Sequence, residues 1–286
     1  MNRLTVLVSN DDGIYAEGLR TLVEWLSKHH DVVVVAPDRE RSAMGHALTL
    51  HKPLRVDPVP FNCPVKAAFA ITGTPSDCVK IAINAIFPQE LGLPQPDVVV
   101  SGINHGPNLG NDVLYSGTVS AASEGALHGI PSMAVSLING SEKFADFNPS
   151  AEFVCHYLPT FMAAQLPVHT VLNLNTPAVS LHEMAGVQVC KLGERNYSNL
   201  YERRTDPRGN VYYWLAGEAL LDGAPHGTDI AAVRDNFVSA TPIQYDLTHV
   251  DVLNNATYTQ ALTVCDGVAC LFGGHIPTHN RQEDAW

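Results

Sequence analysis

The residues best placed to do chemistry come at the start of the chain. Asn10-Asp11-Asp12-Gly13 follows directly on the short apolar run Leu4-Thr-Val-Leu-Val8. Two adjacent carboxylates at the end of a buried strand repel each other unless a cation sits between them or both point into water. A hard divalent cation takes oxygen ligands and keeps water positions, so Asp11 and Asp12 are candidate metal ligands. The same four residues would also make an ordinary polar turn with a helix cap. Three further stretches carry polar groups of the same kind. One is the loop Asp38-Arg-Glu-Arg-Ser-Ala-Met-Gly-His46, with Ser42, Arg39 and Arg41 as its chemical groups. Another is the glycine-rich turn Gly102-Ile-Asn104-His-Gly-Pro-Asn108. The last is Ser116-Gly117-Thr118, which precedes a run of small helix-compatible residues. Free N–H groups and hydroxyls at a helix start, with the helix dipole behind them, suit an anion. They also suit a plain Ser/Thr cap.

Hydrophobic patterning supplies the elements that must hold these groups. Leu4–Val8, Asp31–Ala36, Pro96–Ser101, Ser132–Ile138 and Thr170–Asn175 read as strands without alternation, hence buried on both faces. Leu19, Leu22, Val23 and Leu26 form one helical stripe, and Val79, Ala82, Ile83 and Ile86 another behind a Thr74-Pro75 cap. A further helix is expected over 149–164. Shorter strands are expected at Leu48–Leu50, Pro53–Val56 and Ala67–Ile71. Strands alternating with helices over 1–175 predict an α/β fold, a three-layer Rossmann-like core with a mainly parallel sheet. In such a sheet Asp11, Asp12, Ser42 and Asn104 all fall at carboxyl ends of strands, the edge where these folds bind ligands.

The region 176–250 reads as a β-rich excursion of the same domain. Strands are expected at Val187–Leu192, Val211–Leu215 and Phe237–Ile243, a polar segment over 193–210, and a short helix capped by Thr228. Such an excursion has little core of its own, so burial against another subunit is expected. Residues 251–286 form a C-terminal extension, with a hairpin over Leu262–Phe272 and a loose tail from His279.

Composition narrows the class. The 286 residues carry a net charge of −12, against the basic face that polymeric nucleic acid requires. A small phosphorylated substrate remains compatible, because a bound metal reverses the local field. No run of 18 apolar residues and no basic-then-apolar leader stands in the sequence. The six cysteines are scattered without a CxxC pair, as in a reduced cytoplasmic protein.

Several blocks together resemble the survival protein SurE family. They are Val8-Ser-Asn-Asp-Asp-Gly-Ile14, Ala36–His46, Thr72-Gly-Thr-Pro-Ser-Asp77, Ser101–Asn108, Tyr115–Gly125, and Arg204-Thr-Asp-Pro-Arg-Gly209 with Tyr212-Tyr-Trp214. They occur in order over residues 4–250. The resemblance implies a metal-dependent 5′/3′-nucleotidase acting on nucleoside monophosphates, with removal of terminal phosphate from short polyphosphate in some members. It implies one divalent ion per subunit, Mg²⁺ or Mn²⁺, held by Asp11, Asp12, Ser42 and Asn104. It implies a phosphate site at Asn104, Ser116, Gly117 and Thr118, with Asp11, Asp12 and Asn104 the residues of the chemistry. It also implies a homodimer or homotetramer built by exchange of elements from 176–250. His46 and His105 lie in the right loops, but the sequence names no leaving-group acid.

Two other functions compete for the same residues. An aspartyl-phosphate phosphatase needs its two acids separated by one residue, whereas Asp11 and Asp12 are adjacent. A non-catalytic nucleotide-binding module would not need three oxygen-donor loops beside an anion cradle.

Overall fold

Val6, Leu7, Val8 and Val32 through Val35 are all fully buried, as unalternated strands require when helices cover both faces. The computed structural model describes residues 3–138, 145–198, 201–216, 218–220 and 223–258. Its strands are β1 (Thr5–Ser9), β2 (Asp31–Pro37), β3 (Val56–Pro58), β4 (Ala67–Ile71), β5 (Val98–His105), β6 (Ser132–Leu137) and β7 (Thr170–Thr176). They continue with β8 (Val187–Val189), β9 (Asn196–Ser198), β10 (Tyr201–Thr205), β11 (Val211–Leu215), β12 (Glu218–Leu220) and β13 (Val238–Gln244). The α-helices are α1 (Glu17–Ser27), α2 (Pro75–Ile81), α3 (Gly117–Leu127), α4 (Asn148–Ala164), α5 (Asp229–Arg234) and α6 (Val250–Leu253); a π-helix over Ala82–Glu90 continues α2, and a 3-10 turn spans Gly110–Leu114.

Among the described residues nine strands form one sheet in the order β3-β4-β2-β1-β5-β6-β7-β13-β8. The neighbours from β4 to β7 are all parallel. β3 on β4 and β13 on β7 are antiparallel. The chain winds outward from β1 in one direction and from β5 in the other. The gap between their carboxyl ends is therefore the topological switch point, where such sheets bind ligands. α1 and α4 pack on one face, burying Leu19, Leu22, Val23 and Leu26 beside Val154, Leu158 and Phe161. α2 and α3 cover the other, with Val79 and Ala121 against Leu7, Val33 and Val99. The result is the expected three-layer α/β arrangement. The four described cysteines, Cys63, Cys78, Cys155 and Cys190, are free thiols. No helix among the described residues is long and apolar enough to cross a membrane.

Some expectations needed correction. Leu48–Leu50 and Pro53–Val56 do not form strands; the ladder begins only with Val56–Pro58. The backbone before it is satisfied by side chains instead: Thr49 N–H donates to Asp77 (3.0 Å), Thr74 Oγ1 to the Ala47 carbonyl (2.7 Å) and Arg55 N–H to Thr72 Oγ1 (3.0 Å). The strand expected over Val187–Leu192 stops at Val189, leaving one bridge from Lys191 to Thr228. The polar segment 193–210 contains β9 and β10. β10 pairs antiparallel with β11 around a turn in which Asp206 accepts from Arg208 N–H and Asn210 N–H, each at 2.8 Å. Its Tyr-Glu-Arg-Arg-Thr sequence is exposed throughout, so the apolar alternation that marks a half-buried strand is missing. α5 follows its Thr228 cap as expected.

From Asp246 onward the chain belongs to a second compact unit, in which α6 is the described element. The hairpin expected over Leu262–Phe272 and the tail from His279 lie outside the described residues.

The tightest helix–sheet approach is at Gly18 of α1. A Cβ there would sit 2.1 Å from the Ile103 carbonyl oxygen and 2.9 Å from Phe147 Cε1. Alanine improves helix propensity by up to about 1 kcal/mol over glycine, but overpacking of this kind costs about 1–3 kcal/mol. Contact with a backbone oxygen belongs at the upper end of that range, so Gly18→Ala should lower the urea midpoint. A raised midpoint would mean that α1 and β5 separate freely.

Candidate active site at the carboxyl end of the sheet

Where β1 ends, Asn10 shapes the turn. Its Nδ2 donates to the Gly13 carbonyl (3.0 Å), and its Oδ1 accepts from Gly13 N–H (3.2 Å). Gly13 has φ +100°, and a Cβ on it would lie 3.0 Å from the Arg39 carbonyl carbon. The turn aims Asp11 at the start of α3. Asp11 is 4% exposed and accepts a short hydrogen bond from the Thr118 hydroxyl. Gly117 lies against it: a Cβ at that position would be 2.7 Å from Asp11 Cβ and 2.9 Å from its Oδ2. The glycine in the Ser-Gly-Thr motif thus lets a carboxylate reach the helix N-terminus. Ser116 is the N-cap, its Oγ accepting from Val119 N–H (3.1 Å).

Asp12 is less buried than Asp11, and its Oδ2 accepts from His105 N–H (3.1 Å). That donor is aimed by an irregularity in β5, whose register against β6 shifts between Ser101 and Asn104. Asn104 turns its own amide back, Nδ2 donating to the Gly106 carbonyl (2.8 Å). The Ser42 loop is joined to the same turn, because Arg41 N–H donates to the Asp11 carbonyl (2.7 Å). Ser42 Oγ donates to Glu40 Oε1 (2.8 Å). The structure thus gathers Asp11, Asp12, Gly117 and Thr118 directly. It brings Asn104 and Ser42 to them through their immediate neighbours His105 and Arg41.

The electrostatics are those of acids held together away from water. Burial pushes the Asp11 carboxyl up to about 6; the Thr118 hydroxyl opposes this and the neighbouring Asp12 adds to it. Burial also raises Asp12, opposed by the His105 amide and reinforced by the charge of Glu40.

Sequence reasoning missed Glu40, and it missed the buried polar set that holds the loop between Asn104 and Ser116. Asn175 Oδ1 accepts from Asn108 N–H (2.8 Å), while Asn173 and Asn175 donate to the Asn108 carbonyl (2.9 and 3.0 Å). Asp229 accepts from Gly110 N–H (2.7 Å) and Gly193 N–H (2.8 Å). Asn173 and Asn175 sit two apart on β7, so one sheet face carries two amides; that spacing was the available signal. Of the two histidines, His46 lies beside Glu124 (2.9 Å) and the His105 ring packs 6.0 Å from that of Phe147.

Residues 6–199 match the family described as Survival protein SurE. The chain belongs to the SurE family. It is 47% identical over 246 residues to the 5′-nucleotidase SurE of Alkaliphilus metalliredigens, covering 86% of this chain and 94% of that protein. It is 50% identical over 248 residues to the 5′-nucleotidase SurE of a Synechococcus strain, covering 86% and 93%. The crystal structure of the SurE protein from Aquifex aeolicus superposes with a TM-score of 0.76 at 38% identity, covering 90% of this chain and 99% of that one. Asp11, Asp12, Ser42, Asn104 and Ser116–Thr118 all fall within the matched family span.

The raised Asp11 carboxyl makes a stability prediction for this SurE-family chain in chelator. A folded-state pKa above the unfolded value means that ionisation opposes folding. The penalty is absent below the unfolded value of 3.8, grows as pH rises, and is complete above about 6. Its full size is about 3 kcal/mol, at 1.36 kcal/mol per pK unit. Asp11→Asn should therefore raise the urea midpoint at pH 7.5 with EDTA and leave it nearly unchanged at pH 4. Equal midpoints at pH 7.5 would mean that Asp11 is better solvated than its burial implies.

Proposed function

We propose that this chain is a metal-dependent nucleotidase that hydrolyses nucleoside 5′-monophosphates, and by the same phosphate-directed site 3′-monophosphates and the terminal phosphate of short polyphosphate. The observation that carries the reading is the contact between Asp11 and the first turn of α3, two segments 107 positions apart. An acidic pair beside an anion-binding helix start is an arrangement for a cation and a phosphate together. The relatives named 5′-nucleotidase SurE supply the nucleotide.

The donor set fits one divalent ion, Mg²⁺ or Mn²⁺. Ser42 gives its only proton to Glu40 and Asn104 gives an amide proton to Gly106, so each keeps an oxygen lone pair for a cation. Asp11 and Asp12 add two carboxylates whose ionisation burial opposes and a cation would favour. Such an ion neutralises charge on a phosphoryl oxygen and acidifies a bound water. The chain's own groups do the rest. The Gly117 and Thr118 N–H groups of the first helical turn, with the Ser116 hydroxyl, hold phosphate oxygens by preorganised donors. Thr118 Oγ1, which donates to Asp11 here, either keeps that bond and orients the carboxylate or turns to the phosphate.

Phosphate release from AMP, 3′-AMP and tripolyphosphate, with Mg²⁺, Mn²⁺ or EDTA, tests the reading. Release from AMP should require the metal, and Asp11→Asn should lower it by about 100-fold or more while remaining folded. A folded Asp11→Asn chain that hydrolyses AMP at the wild-type rate, metal or no metal, would overturn the mechanism.

The same reading extends to assembly as a homodimer or homotetramer. Tyr201, Tyr213 and Leu215 lie on one face of the β10–β11 hairpin and Tyr212 with Trp214 (57% exposed) on the other, all exposed. A two-stranded hairpin is marginal alone in water, and a contiguous apolar patch marks an interface. The occupant is a second copy of the chain, which receives the hairpin in exchange for its own. Sedimentation at micromolar concentration should give a dimer or larger, and Trp214→Ser with Tyr213→Ser should shift it toward monomer. A wild-type monomer would end this proposal.

A further inference from the structure

The loop that carries Ser42 is fastened to the helix that carries the phosphate cradle. Its apex is exposed at Ser42, Ala43 and Met44, and Ala43 has φ +57°. A left-handed alanine costs about 1–2 kcal/mol and persists where the surroundings over-determine it. On the entry side Arg41 N–H holds the Asp11 carbonyl. On the exit side Gly45 N–H donates to the Tyr115 carbonyl (3.0 Å), and His46 Nε2 lies 2.9 Å from Glu124 Oε2.

Glu124 is a fixed post. It sits on α3 six positions after Thr118, about 9 Å along the axis. Its side chain is 2% exposed. Besides His46 it meets Lys80 Nζ of α2 (2.7 Å) and His128 Nδ1 (3.7 Å) at the C-cap of α3. Burial pushes its carboxyl up, but the His46 and Lys80 contacts outweigh that and hold it below its usual value. Lys80 and His128 come from the helical layer. Among the ion pairs described for Glu124, His46 is the one that reaches the Ser42 loop.

We propose that His46, through Glu124, is a positioning residue that holds Ser42 in register with Asp11, Asp12 and the start of α3. The proposal rests on the metal reading above. The cation loop and the anion cradle then move as one body, because a single buried carboxylate ties the first to the helix of the second. Groups that orient ligands from behind typically contribute 10–100-fold in metal affinity.

The test is Mn²⁺ binding to the full chain by calorimetry, without substrate, alongside AMP hydrolysis. His46→Ala should raise the Mn²⁺ dissociation constant about 10-fold and lower kcat/KM, while the urea midpoint in EDTA moves little. His46→Gln, which keeps an N–H donor, should recover part of the affinity. His46→Phe fills the space without a donor and should not, and it serves if the alanine variant fails to fold. Combining His46→Ala with Glu124→Gln should cost less than the sum of the two, as for groups acting through one contact. His128→Gln, which alters the Glu124 surroundings but not the loop, should bind Mn²⁺ normally. Wild-type Mn²⁺ affinity in both His46→Ala and His46→Phe, or an equal loss in His128→Gln, would overturn the tether. A wild-type chain that binds Mn²⁺ but leaves AMP intact removes the nucleotidase reading while the tether is still measured. A wild-type chain that binds no Mn²⁺ removes both.

Discussion

The contact on which the rest depends is that of the Asp11 carboxylate with the first turn of α3. It sets an acid, withdrawn from water, against the positive end of a helix. The Thr118 hydrogen bond favours the ionised carboxylate, but burial outweighs it, so the carboxyl is raised. Nothing bulkier than hydrogen fits at Gly117, where Asp11 and the Pro75 ring of α2 both crowd the missing side chain. So β1, α2 and α3 converge on one point. The sheet order makes this possible by placing the start of both outward windings at β1 and β5.

Other close approaches serve the same point. α1 rests on the Ile103 carbonyl at Gly18, and Gly102, at φ +140°, would put a Cβ 2.3 Å from the Val135 carbonyl oxygen. These glycines let β5 bend between α1 and β6, and the bend carries His105 N–H to Asp12. Further along, the loop to α3 is held by interior amides rather than by secondary structure. Asn173 and Asn175 hold the Asn108 backbone, and Asp229 holds the N–H groups of Gly110 and Gly193. Buried hydrogen bonds of this kind fix the loop in one geometry where apolar packing would tolerate several.

The layered core was legible because buried parallel strands and amphipathic helices have periods that the residues state outright. Leu19, Leu22, Val23 and Leu26 fall on the sheet side of α1 as their spacing requires. The Ser116 cap and the Thr74-Pro75 start were legible for the same local reason. What could not be read was whatever depends on a partner distant in sequence. Leu48 to Val56 alternates like a strand, but its backbone is claimed by Thr72, Thr74 and Asp77. β10 lacks the alternation altogether and is a strand through its register with β11. That the segments carrying Asp11, Asp12, Ser42 and Asn104 meet at one end of the sheet, through Arg41 and His105, followed from the strand-end rule. The role of Glu40 did not, since nothing in Arg39-Glu40-Arg41 says which way the middle residue turns.

The two arginines of that loop bear on the field at the site. From the sequence they were, with Ser42, the loop's candidate chemical groups. In the fold both turn to Asp38: Arg39 Nη2 is 2.8 Å and Arg41 Nη2 3.6 Å from its carboxylate. Arg41 also donates to the Thr72 carbonyl (3.3 Å). Asp11, Asp12 and Glu40 are thus left without either guanidinium as counter-charge, and the field at the carboxyl end of β1 is acidic. A phosphate monoester approaching that field is repelled by the carboxylates and attracted only by the first turn of α3, whose half-charge reaches little further than one turn. Under the reading proposed above, a cation held by Asp11 and Asp12 would offset that repulsion for a phosphate resting against Gly117 and Thr118. The acidic surroundings at the carboxyl end of β1, where burial opposes the ionisation of Asp11 and Asp12, are surroundings that a cation would favour.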